Sequence, residues 1–216
     1  MSEDFKEKLW WIVEKIPFKS ENLIVIKKDC KLNPKEVFSE KYEKYFLELG
    51  SGWGEVGVEL AKQNPNMGFI LMEKNRGRLL YTDKLINSAG LKNIKLACAN
   101  FNWFLRELYM ENSFDEILLN FPDPWPKKKH WINRTISVDF IHTVKLLLKS
   151  NGRFRFATDH GGYGRKAISI LRKNPVLQKE IEYSFQRENF PISVFEKEKL
   201  EEKKTIYYLE RFNEEN

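Results

Sequence analysis

The stretch LELGSGWGEVG, Leu47 to Gly57, ends an apolar run on an acid, Glu48, and then places glycines at 50, 52, 54 and 57. So dense a glycine pattern marks backbone bent closely around a ligand, because glycine enters left-handed conformations without a steric penalty. Two ligand classes fit. Gly52, Gly54 and Gly57 spell the G-x-G-x-x-G dinucleotide fingerprint, and Glu73, closing the next apolar run, stands where a ribose-binding acid is expected. A dinucleotide, however, brings its pyrophosphate to the following helix N-terminus, and a carboxylate at Glu48, pointing toward the same mouth, would repel it. S-adenosylmethionine carries an ammonium and a sulfonium but no phosphate. The acid followed by Gly50, Gly52 and Gly54 suits that ligand better. Glu73 could then accept from both ribose hydroxyls, while Asn100, after the third apolar run, could accept from the adenine amino group and donate to a ring nitrogen.

A second constellation is NFPDPWPKKKHWINR, Asn120 to Arg134. Pro122, Pro124 and Pro126 stiffen the loop and fix Asp123 with little freedom left to lose on binding a substrate. Lys127, Lys128, Lys129 and Arg134 set four cations beside that carboxylate, with His130 among them. Such a run suits phosphate backbones. Trp125 and Trp131 could stack on unpaired bases or pack beneath the loop.

The elements that must position these residues follow a βαβ rhythm. Strand-like runs cover Tyr45 to Leu49, Gly68 to Met72, Ile94 to Ala97, Phe114 to Leu119 and Arg153 to Thr158. Helical spacing covers Glu55 to Gln63, Arg76 to Ala89, Phe101 to Met110, Ser137 to Lys149 and Tyr163 to Lys173, with Gly90 and Gly152 as helix stops. The alternation predicts an α/β fold, a mainly parallel open sheet with helices on both faces and ligands beyond the carboxyl ends of its strands. Both constellations fall at such ends. We read residues 1–216 as one domain, with an N-terminal extension over 1–40, a βαβ core over 41–173 and C-terminal strands within 174–216, at Ile181 to Glu188 and Thr205 to Phe212.

Composition narrows the function. Lys and Arg total 37 against 31 acids, a net charge of +6 that biases the chain toward polyanions. The two cysteines, Cys30 and Cys98, are too few for a disulfide framework or a zinc knuckle, and no metal site is expected. His130, His142 and His160 are too scattered to form one. The N-terminus lacks the apolar core of a signal peptide and no run approaches a membrane span, so a cytoplasmic protein with no membrane partner and no obligatory protein partner is expected.

At the proline-rich loop the chain resembles the tRNA (guanine-N7)-methyltransferases, whose loop reads P-D-P-W-x-K-x-R-H. PDPWPKKKH matches at each fixed position except Lys129, where Arg is usual. The likeness runs from Glu48 to Asp159 and includes AKQNP and ATD. It implies methyl transfer from S-adenosylmethionine to N7 of guanosine 46 in the tRNA variable loop, on a Rossmann-like methyltransferase fold. It further implies that Glu48, Glu73 and Asn100 contact the cofactor, that Asp123 is the acid of the catalytic centre, adjoining the cofactor, and that Lys127, Asp159 and Thr205 contact substrate. Thr205 opens the family's C-terminal T-x-[YF]-E motif. Tyr208 stands at its fourth position, with Glu210 two residues on, and Asn100 stands where the family usually has Asp.

Guanine N7 carries an in-plane lone pair, so no proton need leave before transfer and no strong base is required. Asp123 is therefore expected to orient the base through its N1–H and N2 amino donors and to favour the cationic ring. Three rivals remain at this point: an amino-directed adenine or cytosine methyltransferase, whose [DN]-P-P-[YFW] loop occupies the same strand end, a non-catalytic RNA-binding protein on this fold, and a nicotinamide oxidoreductase.

Overall fold

Short apolar runs form the strands β1 (Lys44–Leu49), β2 (Met67–Glu73), β3 (Ile94–Cys98) and β4 (Phe114–Asn120) in a computed structural model, which describes residues 3–174, 177 and 182–213. They are buried on both faces, as parallel strands covered by helices must be. Longer strand β5 (Leu148–Thr158) pairs parallel with β4, and β7 (Tyr207–Phe212) runs antiparallel between β5 and the short β6 (Glu182–Ser184). The seven strands form one sheet in the order β3-β2-β1-β4-β5-β7-β6. The expected strand from Ile181 to Glu188 contracts to β6, with Ile181 itself outside the described residues.

Alternation along β1 sorts the core into two layers. Leu47 and Leu49 face α1 (Glu3–Val13), α4 (Phe101–Leu108), α5 (Val138–Leu147) and α6 (Gly161–Lys173), whereas Phe46 faces α2 (Glu55–Gln63) and α3 (Arg76–Ser88). The chain builds outward from β1 through β2 to β3 and returns across the sheet to β4 on the far side of β1. That reversal opens a crevice beyond the carboxyl ends of β1 and β4, where open α/β sheets bind ligands.

Several helices start with a side-chain cap supplied by the residue leaving a strand or loop. Asn75 Oδ1 accepts from the Arg78 amide at 3.1 Å, Ser137 Oγ from Phe140 at 3.2 Å and His160 Nδ1 from Tyr163 at 3.1 Å. Gly90 takes φ +63° immediately behind α3, as a helix-ending glycine does. Gly152 corrects the sequence reading. It lies inside β5, which begins at Leu148 rather than Arg153, and a Cβ there would meet the Lys149 carbonyl at 2.8 Å and that of Phe114 at 3.1 Å. Its role is close backbone approach, not a helix stop.

The N-terminal extension also has a definite course. Trp10 of α1 stacks on Phe104 at 4.2 Å between centroids, and the following segment bridges the edge of β3, with Ile24 N donating to Leu96 O at 2.8 Å and Leu96 N to Asn22 O at 2.7 Å. This covers a sheet edge that would otherwise be open. Between β6 and β7 the charged stretch forms α7 (Val194–Glu201), which composition alone did not predict. No helix among the described residues is long and apolar enough to cross a membrane.

Candidate functional site

The glycine loop is tied to its neighbours through backbone groups that only its conformation exposes. Gly50, Gly52 and Gly54 have φ of +74°, +59° and +77°, and Gly50 N and Ser51 N both donate to the Met72 carbonyl, at 2.7 and 3.0 Å. The turned loop aims Gly52 N at Glu73, whose Oε2 accepts at 3.1 Å, while Glu73 Oε1 accepts from Asn75 N at 2.8 Å. Arg78 stands 3.9 Å from the same carboxylate. Glu73 is thus pinned between the loop and the turn into α3.

Glu48 behaves differently from the expectation that it faces the mouth. Its side chain lies under α2 and is buried, and a Cβ on Gly57 would come within 2.6 Å of its Oε2. The fourth glycine of the opening stretch therefore makes room for an acid. Burial pushes the Glu48 carboxyl up to about 8, opposed by the charge of Arg187 and by the Gly57 amide. Among the described residues, Glu48 Oε2, Ser51 Oγ and, from the adjoining end of β4, Asn120 Nδ2 are buried polar atoms with no hydrogen-bond partner. Unspent carboxyl, hydroxyl and amide groups of this kind suit a polar ligand end, such as the amino-acid end of S-adenosylmethionine.

Beyond the strand ends lies a cavity of about 720 Å³. Of the expected cofactor residues its wall contains Gly50, Glu73, Asn100 and Asp123, but not Glu48, Gly52 or Gly54. Asn100 caps α4, its Oδ1 accepting from Asn102 N at 3.1 Å, which leaves its amide donors for a ligand. Asp123 is exposed on the wall and takes no hydrogen bond or ion pair among the described residues.

The loop holding Asp123 is rigid for reasons beyond its prolines. Phe121 N donates to Ala157 O at 2.8 Å, and Phe121 and Trp125 sit at φ +46° and +43°, conformations costly for side-chain-bearing residues and kept only where neighbours enforce them. Arg134 supplies that enforcement. Although expected to contact substrate, it is drawn inward, its Nε donating to Pro124 O at 2.7 Å and its guanidinium lying 4.7 Å from the Trp131 ring and 5.0 Å from that of Tyr163. Trp125 packs edge-on against His130 at 5.7 Å. Lys127 precedes, and Lys128 and Lys129 begin, a 3-10 turn spanning Lys128–Asn133, and all three are exposed.

Three further residues expected at the substrate lie off the cavity wall. Asp159 is half-buried behind β5, Thr205 is exposed ahead of β7, and Tyr208 is buried, its hydroxyl donating to Glu196 Oε1 at 2.7 Å.

Known proteins share both the sequence and the fold. A family model described as "Putative methyltransferase" matches residues 42–209. A tRNA (guanine-N(7)-)-methyltransferase of Leptospira interrogans (serogroup Icterohaemorrhagiae, serovar Lai) is 48% identical over 212 residues, which are 98% of this chain and 98% of that protein. This chain belongs to the tRNA (guanine-N7)-methyltransferase family. A Thermotoga maritima protein of the same name is 33% identical over 71% of this chain and 49% of its own length. The fold is also that of a SAM-dependent O-methyltransferase from Thermotoga maritima, with a TM-score of 0.55 at 17% identity over 82% of this chain and 61% of that one.

Within this tRNA (guanine-N7)-methyltransferase family member, the C-terminal departures resolve in space. Glu210 pairs with Arg155 at 3.2 Å and approaches Arg153 at 3.9 Å, so it does not slip into the place of Tyr208. Tyr208 instead presents its hydroxyl to Glu196 on α7. Glu196 also pairs with Arg187, 2.5 Å away, and Arg187 reaches Asn120 Oδ1 at 3.3 Å, at the root of the proline-rich loop. Sequence reasoning missed both Arg187 and Glu196. Neither sits in a motif, and only the docking of α7 beside β7 brings them together.

Proposed function

We propose that this protein transfers a methyl group from S-adenosylmethionine to N7 of guanosine 46 in the variable loop of tRNA, in the cytoplasm. The observation that carries the proposal is Asp123, an unpartnered carboxylate among the described residues, on a strained, braced loop that shares one cavity wall with Glu73 and Asn100. Family membership supports the same reading. When bound, the cofactor supplies an electrophilic sulfonium methyl. Glu73 would accept from its ribose hydroxyls and Asn100 would donate toward the adenine ring, with Glu48, Ser51 and Asn120 beneath the amino-acid end.

Asp123 would accept from the N1–H and N2 donors of guanine, turning N7 toward the methyl and favouring the ring that becomes positive. Adenine has no matching donor pair on that edge. Placement and electrostatics account for the catalysis, and no proton is removed before transfer. Arg134 would hold the loop, and Lys127, Lys128, Lys129 and His130 would lie along RNA phosphates, with Asp159 and Thr205 bordering the substrate.

Unmodified tRNA incubated with the protein and labelled S-adenosylmethionine, then digested to nucleosides, should carry its label in N7-methylguanosine. A transcript with adenosine at position 46 should remain unlabelled. Label in adenosine or cytidine would instead establish an amino-directed methyltransferase.

Neutralising Lys127, Lys128 and Lys129 together should weaken tRNA binding and flatten the salt dependence of affinity. For each phosphate that a lysine no longer neutralises, the slope should fall by somewhat under one unit, roughly 0.9 on duplex. Identical slopes for variant and parent would show that the run is only a solvated face.

A further inference from the structure

Trp53 belongs to none of the sites above, yet the glycine loop presents it to solvent. It lies between Gly52 and Gly54, both with positive φ, and is 49% exposed. Tyr81, 48% exposed, meets it edge-on at 5.4 Å and 87°. The Arg78 guanidinium lies 5.7 Å from the Trp53 ring centroid and also 3.9 Å from Glu73. Arg78 and Glu73 both line the cavity, whereas Trp53 and Tyr81 stand just outside its wall. The aromatic pair is therefore on the rim, one side chain away from the cofactor acid.

The segment that leads to Tyr81 carries charge of one sign. Residues 74–81 contribute Lys74, Arg76 and Arg78 and no carboxylate, and all three cations are exposed. A large ring open to water beside exposed cations is the arrangement that binds single-stranded nucleic acid. The ring offers a stacking face to any base, and the cations follow the phosphates.

We propose that Trp53, supported by Tyr81 and flanked by Arg78, is a stacking platform for an unpaired tRNA base next to the nucleotide held in the cavity. This rests on the tRNA reading given above and adds a second binding surface to the Lys127–Lys129 run. Because Trp53 is outside the cavity and its ring is not part of the core, its removal should spare both the fold and cofactor binding.

The test is tRNA binding by Trp53→Ala, Trp53→Phe and the parent across a series of salt concentrations, with calorimetry of S-adenosylmethionine on the same preparations. Trp53→Ala should bind tRNA about 5- to 150-fold more weakly, the range for losing one base–aromatic stack. The salt slope should stay unchanged, because no charge is removed. Trp53→Phe should recover most of the loss, and Tyr81→Ala should show a smaller one. Unchanged tRNA affinity in Trp53→Ala would overturn the platform while leaving the methyltransferase reading intact, provided the parent still forms N7-methylguanosine. A loss of cofactor affinity would also overturn it, making Trp53 a wall of the cofactor site. A parent that neither binds nor methylates tRNA would remove both readings.

Discussion

Asp123→Asn should lower single-turnover methyl transfer to guanine N7 by about a hundred- to a thousandfold, the effect of removing one preorganised electrostatic interaction. The substitution keeps the shape of the side chain, but it turns half of an acceptor into a donor facing guanine donors and removes the charge that favours a cationic purine. The loop itself should hold. Its restraints are the hydrogen bond that the Phe121 N–H donates to the Ala157 carbonyl, the three prolines and the Arg134 donors to loop carbonyls, none of which involves the Asp123 side chain. Cofactor affinity should therefore remain close to that of the parent. Rates and affinity measured on one preparation separate the outcomes. Near-normal transfer would remove Asp123 from the mechanism, and loss of cofactor binding would move it to the donor site.

Glu73→Ala should weaken S-adenosylmethionine binding by about 1–3 kcal/mol, the scale of charged hydrogen bonds to a bound ligand. The structure adds a second reason for the weakening. Glu73 also receives the Gly52 and Asn75 amides, so its removal frees the glycine loop from the turn into α3. Glu73→Gln keeps an acceptor for one of those amides and should fall between alanine and the parent. Affinity for tRNA should change little in either variant. Calorimetry showing parental cofactor affinity in a folded Glu73→Ala would exclude Glu73 from the cofactor site.

Much of this site was legible because its parts are local. The left-handed glycines, the acid closing β2, the Asn before α4 and the proline frame around Asp123 are each determined by a few consecutive residues, whose backbone preferences act over one or two turns. Strand runs and helical spacing then place those parts at the carboxyl ends of parallel strands, since the side-chain periods differ between the two elements. Charge was readable only as an inventory. The cations and acids around the site took their roles from direction in space.

Arg134 and Lys127 share one basic loop, yet one turns inward to hold carbonyls and the other stays in water. Glu48 and Glu73 both stand at strand ends, but pleating sends Glu48 beneath α2 and Glu73 to the cavity. Tyr208, read as a neighbour of the substrate, is buried against Glu196 because β7 runs antiparallel to β5 and α7 docks beside it. Sequence alone determined the fold class, the ends of the elements at the site, the glycine loop and the stiff frame around Asp123, all of them products of short-range backbone and packing preferences. Tertiary structure alone decided which charges are buried, which are paired and which face the cavity, because burial and pairing depend on partners distant in the chain.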